Sequence, residues 1–225
     1  MTKMSKIKIS PSNLVIEILG ILIAISAGIY HIVFKRYDRA IYSFLIPLIY
    51  IVPLTIQLVF RLKLNPAIET IIMIYMILAA NLGVAWGFYG LIDNYDRLMH
   101  FSFGPIGCVI GLLILSLFKD ISKENTAFIV IFMFISSMAG AALWELFEFS
   151  GDVFLNGTAQ GTPVFVNGEK IVSLQDTMED IACNFFGALL FSIYYPLEKK
   201  LKLKGITTVN EIFSKLDEIG LNQND

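Results

Sequence analysis

The sequence predicts an all-α integral membrane protein, a six-helix transmembrane bundle with a short β-hairpin in one outer loop. Three observations carry that reading. Apolar residues make up 56% of the 225-residue chain and charged residues 16%, against about 45–50% and about 25% in soluble domains. The apolar residues fall into six blocks, each near the roughly 20 residues that a helix needs to cross a bilayer. Between the last two blocks, Asn167-Gly168 sits between short β-prone runs, a strong signal for a two-residue hairpin turn.

The blocks follow in order. The first runs from about Leu14 to Phe34. Lys3, Lys6 and Lys8 precede it, as in a signal peptide, but its apolar run exceeds the roughly 7–15 residues of a signal core, so it reads as a retained anchor. The second runs from about Ala40 to Phe60 and contains Pro47 and Pro53, which should bend it. The third runs from about Ile68 to Gly90, the fourth from about Leu98 to Phe118, the fifth from about Ala127 to Phe149, and the sixth from about Met178 to Leu197. A transmembrane domain over residues 1–204 is thus followed by a short tail, 205–225. There Ile206, Val209, Ile212, Phe213, Leu216 and Ile219 have helical spacing and Thr208 with Glu211 forms a capping box. The tail reads as an amphipathic helix on the inner membrane surface or against the bundle.

Orientation follows from the distribution of Lys and Arg. One side collects Lys3, Lys6, Lys8, Arg61, Lys63, Lys119, Lys123, Lys199, Lys200, Lys202, Lys204 and Lys215; the other collects Lys35, Arg36, Arg39, Arg97 and Lys170. The excess places both termini in the cytoplasm, although Lys35, Arg36 and Arg39 crowd the first outer loop. The longest loop, Ser150–Gln175, is then outer. In it Val164-Phe165-Val166 and Lys170-Ile171-Val172 flank Asn167-Gly168, and the resulting hairpin is either a lid over a site or a plain shortening of the loop.

Ionisable groups inside apolar spans are costly and need an explanation. Three groups stand out. Asp93, Asp96, Arg97 and His100 open the fourth span, with Asp96 and His100 one turn apart on one face. Glu145 and Glu148 close the fifth span, followed on the same face by Asp152. Asp176, Glu179 and Asp180 open the sixth, with Asn184 one turn beyond Asp180. In a six-span topology these ends share one membrane face, the outer one by the charge count. Five carboxylates, Asp96, Glu145, Glu148, Asp176 and Asp180, then converge with His100 and Arg97. Shared protons or a bound cation must compensate such a gathering. Oxygen ligands suit Mg, Mn or Ca, and a histidine widens the choice to Fe or Zn.

The competing readings are an internal ion-pair network and unrelated surface charges. Helix dipoles favour Asp96, Asp176 and Glu179 at helix N-termini without any site. They disfavour Glu145 and Glu148 at a C-terminal end, which therefore need partners. Elsewhere His31 reads as an interface histidine, and Trp86, Tyr89, Tyr95 and Trp144 as an outer aromatic belt. Gly104, Gly107 and Gly111 on the fourth span, with Gly140 and Gly187 on its partners, have the spacing of close helix packing.

Asp96-Arg97-Leu98-Met99-His100-Phe101 with Gly104, Glu145 with Glu148, and Asp176 with Asp180 before Gly187-Ala188 together resemble the YjdF-type family of bacterial inner-membrane proteins, a domain of unknown function. The resemblance is strongest from about Asn94 to Ala188. It implies a multi-pass protein of the bacterial inner membrane. It picks out Asp96, Arg97, His100, Glu145, Glu148, Asp176 and Asp180, leaving Asp93, Asp152 and Glu179 aside, and it supplies no activity.

The leading functional expectation is a metal-dependent hydrolase or lipid-modifying enzyme at the outer leaflet. Glu145, Glu148, Asp176 and Asp180 would hold one or two divalent cations. His100, oriented by Asp96, would act as acid or base, and Arg97 would bind an anionic group of a lipid or phosphate-bearing substrate. The alternatives are an ion- or proton-coupled transporter and a non-catalytic assembly or sensor protein. The net charge of −2 gives no footprint for nucleic acid. With two histidines and no His-Glu-x-x-His, Gly-x-Ser-x-Gly or P-loop, the chain is not a zincin, a serine hydrolase of the elbow type, a histidine-rich desaturase or a P-loop ATPase.

Overall fold

The computed structural model describes residues 10–59, 62–154, 157–160, 164–171, 174–201 and 213–215. It contains six helices long and apolar enough to cross a membrane: α1 (Pro11–Val33), α2 (Tyr37–Val59), α3 (Pro66–Ala85), α4 (Tyr95–Phe118), α5 (Thr126–Phe154) and α6 (Leu174–Leu201). The expected spans are all present, and the fold is that of an all-α membrane protein. The ends differ where local chemistry decides them. Proline occupies the first helical position of α1 and of α3, where its missing N–H costs nothing. Asn65 caps α3, its side chain accepting a hydrogen bond from Ala67 N at 2.8 Å. Gly87, at φ 78°, breaks the third span before its expected end, and a one-turn helix, Phe88–Leu91, follows. α5 runs on to Phe154, so Asp152 is helical rather than in the loop.

The expected bend in α2 takes the form of a 3₁₀ turn over Ile46–Tyr50, with Pro47 near its start, between two α-helical halves. α3 winds as an α-helix to Met76 and as a π-helix from Ile77 to Ala85.

The chain forms two compact units, Met1–Tyr95 with Lys204–Asp225, and Asp96–Leu203. In the first, Ala24 and Ala27 of α1, both fully buried, pack with Ile46, Tyr50 and Ala85. Gly20 faces the Tyr50 hydroxyl and Gly28 the Phe44 ring, so that any side chain at either position would collide with them. Buried polar groups cross-link the helices. Tyr50 donates to Asn81 Oδ1 at 3.0 Å, and Asn81 donates to the Gly20 carbonyl. Asn13 donates to Glu69 Oε2 at 2.6 Å, and Gln57 donates to Glu69 Oε1 at 3.1 Å. Such pairing is what lets polar groups stay in an apolar span.

His31 belongs to this internal set too. It is 2% exposed, with Nε2 2.7 Å from the Ala85 carbonyl. Tyr95 likewise points inward, donating to the Leu78 carbonyl at 2.9 Å. Strands β1 (Leu62–Leu64) and β4 (Phe213–Lys215) pair antiparallel. Of the tail expected as an amphipathic helix, only Phe213–Lys215 lies within the described residues, as that strand.

In the second unit α4 packs on α5 and α6 through the expected glycines. A Cβ at Gly107 or Gly111 would fall under 3.0 Å from Ser137 or Ser136 of α5, and one at Gly104 would strike the backbone of Asn184, Gly187 and Ala188 of α6. Backbones approach this closely only where side chains are absent. Between α5 and α6, strands β2 (Val164–Val166) and β3 (Glu169–Ile171) form the hairpin. Its turn residues Asn167 and Gly168 have φ of 53° and 84°, the positive pair that a two-residue hairpin loop requires. Cys108 and Cys183 are free thiols.

Candidate metal centre

Three helix ends meet in the second unit because of chain direction. α4 and α6 begin, and α5 ends, at the same place, and each carries carboxylates there. Asp96 and His100 stand one turn apart on α4, and Asp180 faces them from α6. One ligand atom of each lies within 4.8 Å of those of the other two. His100 Nε2 is 3.5 Å from Asp96 Oδ1 and 3.6 Å from Glu145 Oε1 of α5.

The burial is deep. Asp180 is 1% exposed, Glu145 4% and His100 6%. Both oxygens of Asp180 and both of Glu145 have no hydrogen-bond partner, and neither does Glu148 Oε2. The charges that act on Asp180 are those of Asp96, Asp176 and Glu145, opposed by Arg97. Buried, unpaired carboxylates of like sign are expensive, so the cluster calls for a compensating cation or shared protons. An imidazole nitrogen with several carboxylate oxygens is a donor set for Mn, Fe or Zn more than for Mg or Ca.

The sequence-expected residues are not all brought to one point. Asp96, His100, Asp180 and Glu145 are. Glu148 lies one turn beyond Glu145 and accepts a hydrogen bond from Trp144 Nε1 at 2.7 Å through its other oxygen. Asp176 lies one turn before Asp180. The charge of Arg97 acts on Asp96, Asp176 and Asp180, and its guanidinium is ion-paired with Glu179, the two side chains being 40% and 35% exposed. Solvent screens such a pair strongly. Glu179, which the family resemblance leaves aside, is thus an Arg97 partner, and Asp152 is a loop clamp. Asp152 accepts from Ala159 N at 2.7 Å and Gln160 N at 2.9 Å. Asp93 is exposed, outside this unit.

Two polar neighbours of the cluster carry no mark in the sequence. Gln160, in the α5–α6 loop, and Thr177 both flank the Glu145 carboxyl, without reaching it in hydrogen-bonding geometry. A glutamine in a loop carries no sequence signal; only its burial reveals it. Below the cluster, Asn184 donates to Ser137 at 3.4 Å, and Ser137 donates to the Gly104 carbonyl at 2.9 Å, tying the three helices together.

The family described as "Predicted membrane protein (DUF2238)" matches residues 14–199. The chain belongs to this family. The match takes in all of the carboxylates described above, and the family description assigns no activity. It agrees with the resemblance to a membrane family of unknown function that the motifs suggested. No curated protein and no solved structure matches the chain.

Proposed function

We propose that the chain is a metal-dependent membrane enzyme. A divalent cation held by Asp96, His100 and Asp180 would act on a phosphate- or ester-bearing lipid at the outer membrane face. The observation that carries this reading is Asp180. It is a carboxylate 1% exposed with both oxygens unpartnered, beside a buried histidine and a second aspartate. Ligands about 2.0–2.2 Å from one tetrahedral ion lie about 3.5 Å from each other. The His100–Asp96 separation of 3.5 Å meets that spacing. The 4.8 Å spread of the full set is wider, so Asp180 closes in on binding.

The cation would lower the pKa of a bound water and polarise a phosphoryl or carbonyl oxygen. Glu145, 3.6 Å from His100 Nε2, would take the proton from that water. Glu148 and Asp176 would complete the acidic surround or hold a second cation. Arg97, half-exposed at the start of α4, would meet an anionic headgroup by exchanging Glu179 for it.

Depth favours this over transport. His100 lies five residues into α4 and Asp180 six into α6, each about 8–9 Å from the helix start at a rise of about 1.5 Å per residue. Transporter sites usually sit near the bilayer midplane, whereas an interfacial site meets lipid headgroups.

The test is metal content of the detergent-purified protein by mass spectrometry, with His100→Ala and Asp180→Ala alongside. About one equivalent of Mn, Fe or Zn in the wild type, lost from both variants, supports the centre and directs a screen of lipid phosphates and esters. Absence of metal from the wild type, after each ion has been supplied during purification, overturns it.

A further inference from the structure

We infer that Gln160 is a further ligand of this site, an amide oxygen that the α5–α6 loop delivers to the cation held by Asp96, His100 and Asp180. The inference rests on the metal-centre reading and adds a residue from outside the helices. Gln160 is 4% exposed although it lies in a loop, where side chains ordinarily face water. Two sets of bonds hold it there. Asp152, itself 3% exposed, binds the backbone N–H groups of Ala159 and Gln160 with its two carboxylate oxygens. The Gln160 amide nitrogen donates to the Thr177 hydroxyl, on α6 between Asp176 and Asp180.

The chain folds back on the end of α5 to achieve this, with Gly157 N donating to the Gly151 carbonyl at 3.2 Å. A Cβ at Gly157 would lie 2.7 Å from Asp152 Oδ1, so the clamp also needs a glycine there. What this arrangement leaves over is the Gln160 carbonyl oxygen. It is buried and has no hydrogen-bond partner, and the Gln160 amide stands against Glu145, whose Oε1 is 3.6 Å from His100 Nε2. A clamp whose only purpose was to fix the loop would not bury a free acceptor beside the Glu145 carboxyl. A neutral amide oxygen is an ordinary donor to divalent cations and adds no further negative charge.

The experiment is a Mn(II) titration of the full-length protein in lipid nanodiscs, with free Mn(II) read by electron paramagnetic resonance. Melting temperatures are taken with and without Mn(II). Gln160→Ala is expected to weaken Mn(II) binding about ten-fold or more and to shrink the Mn(II)-induced rise in melting temperature. Gln160→Glu, which keeps an oxygen in place, is expected to restore binding. Asp152→Asn, which loosens the clamp, is expected to behave like Gln160→Ala. Wild-type Mn(II) affinity in Gln160→Ala overturns this inference and leaves the metal centre standing. So does a Gln160→Ala variant whose Mn-free melting temperature falls while its Mn(II)-induced rise is intact. No Mn(II) binding by the wild type overturns the metal centre and this ligand together.

Discussion

Gly187 of α6 lies directly over the Phe101 carbonyl oxygen of α4. The contact has a cause in the sequence. Pro105 has no N–H, so the Phe101 carbonyl one turn earlier loses its helical partner. The freed oxygen is met by the one residue type that brings a Cα–H and no side chain. Gly187→Val must push α6 away from α4, and overpacking of this kind costs about 1–3 kcal/mol. Asp180 rides on the same helix two turns earlier. The expected result is a lower melting temperature together with reduced metal content. A variant that melts like the wild type would mean the helices are not in this contact.

Asp180 is expected to be a cost to the metal-free protein. It faces Asp96, Asp176 and Glu145, and neither of its oxygens is hydrogen-bonded. Asp180→Asn replaces a carboxyl crowded by like groups with an amide that can donate to them. Metal-free Asp180→Asn is therefore expected to melt at a higher temperature than the metal-free wild type. It is also expected to lose the stabilisation that added Mn(II) gives the wild type. A fall in the metal-free melting temperature would show that the carboxylate already has its partner.

Tyr50→Phe is expected to destabilise the first unit by about 1–3 kcal/mol, the usual cost of orphaning a buried acceptor. Asn81 is 0% exposed, and its oxygen accepts from the Tyr50 hydroxyl at 3.0 Å. Chemical denaturation in mixed micelles reads the change. The same variant should leave metal content untouched, since the cluster lies in the other unit. Loss of metal in Tyr50→Phe would contradict that separation.

Gly168→Val places a β-branched residue at a φ of 84°, a region such residues avoid at a cost of about 1–2 kcal/mol. The hairpin should open while the spans stay folded. Hydrogen exchange is expected to rise across Val164–Ile171 with little change in α5 or α6. Unchanged exchange in the hairpin would show that another contact holds it.

Much of this architecture is legible in the chain, because the bilayer forces it. Length and hydropathy suffice to place six helices when every backbone group must be satisfied within its own helix. Asn167-Gly168 suffices for the hairpin, since few residue pairs take its turn. Chain direction suffices to bring Asp96, Glu145 and Asp180 to one place. What the sequence hides is pairing. The charge of Arg97 acts on the cluster, but its ion pair with Glu179, one turn into α6, is hidden, because i,i+3 and i,i+4 reasoning sees only one helix at a time. His31 looks interfacial by position, and its acceptor, the Ala85 carbonyl, lies on another helix. Gln160 has no periodicity to mark it. The internal polar set of Asn13, Gln57 and Glu69 sits near helix ends, where polar residues ordinarily face water.

The π-helical half of α3 changes what a length mutation does to this protein. A π turn holds more residues than an α turn, so Ile77–Ala85 carries slack that an α-helix lacks. Removing one residue there need not break the helix; it can rewind as α. The segment beyond would then keep much of its facing, where the same deletion in an α-helix would turn it by about 100°. Asn81 and Ala85 are the positions that speak to Tyr50, Gly20 and His31. The span thus works as a phase-setter: its winding, more than its length, decides which side of α3 addresses its two neighbours.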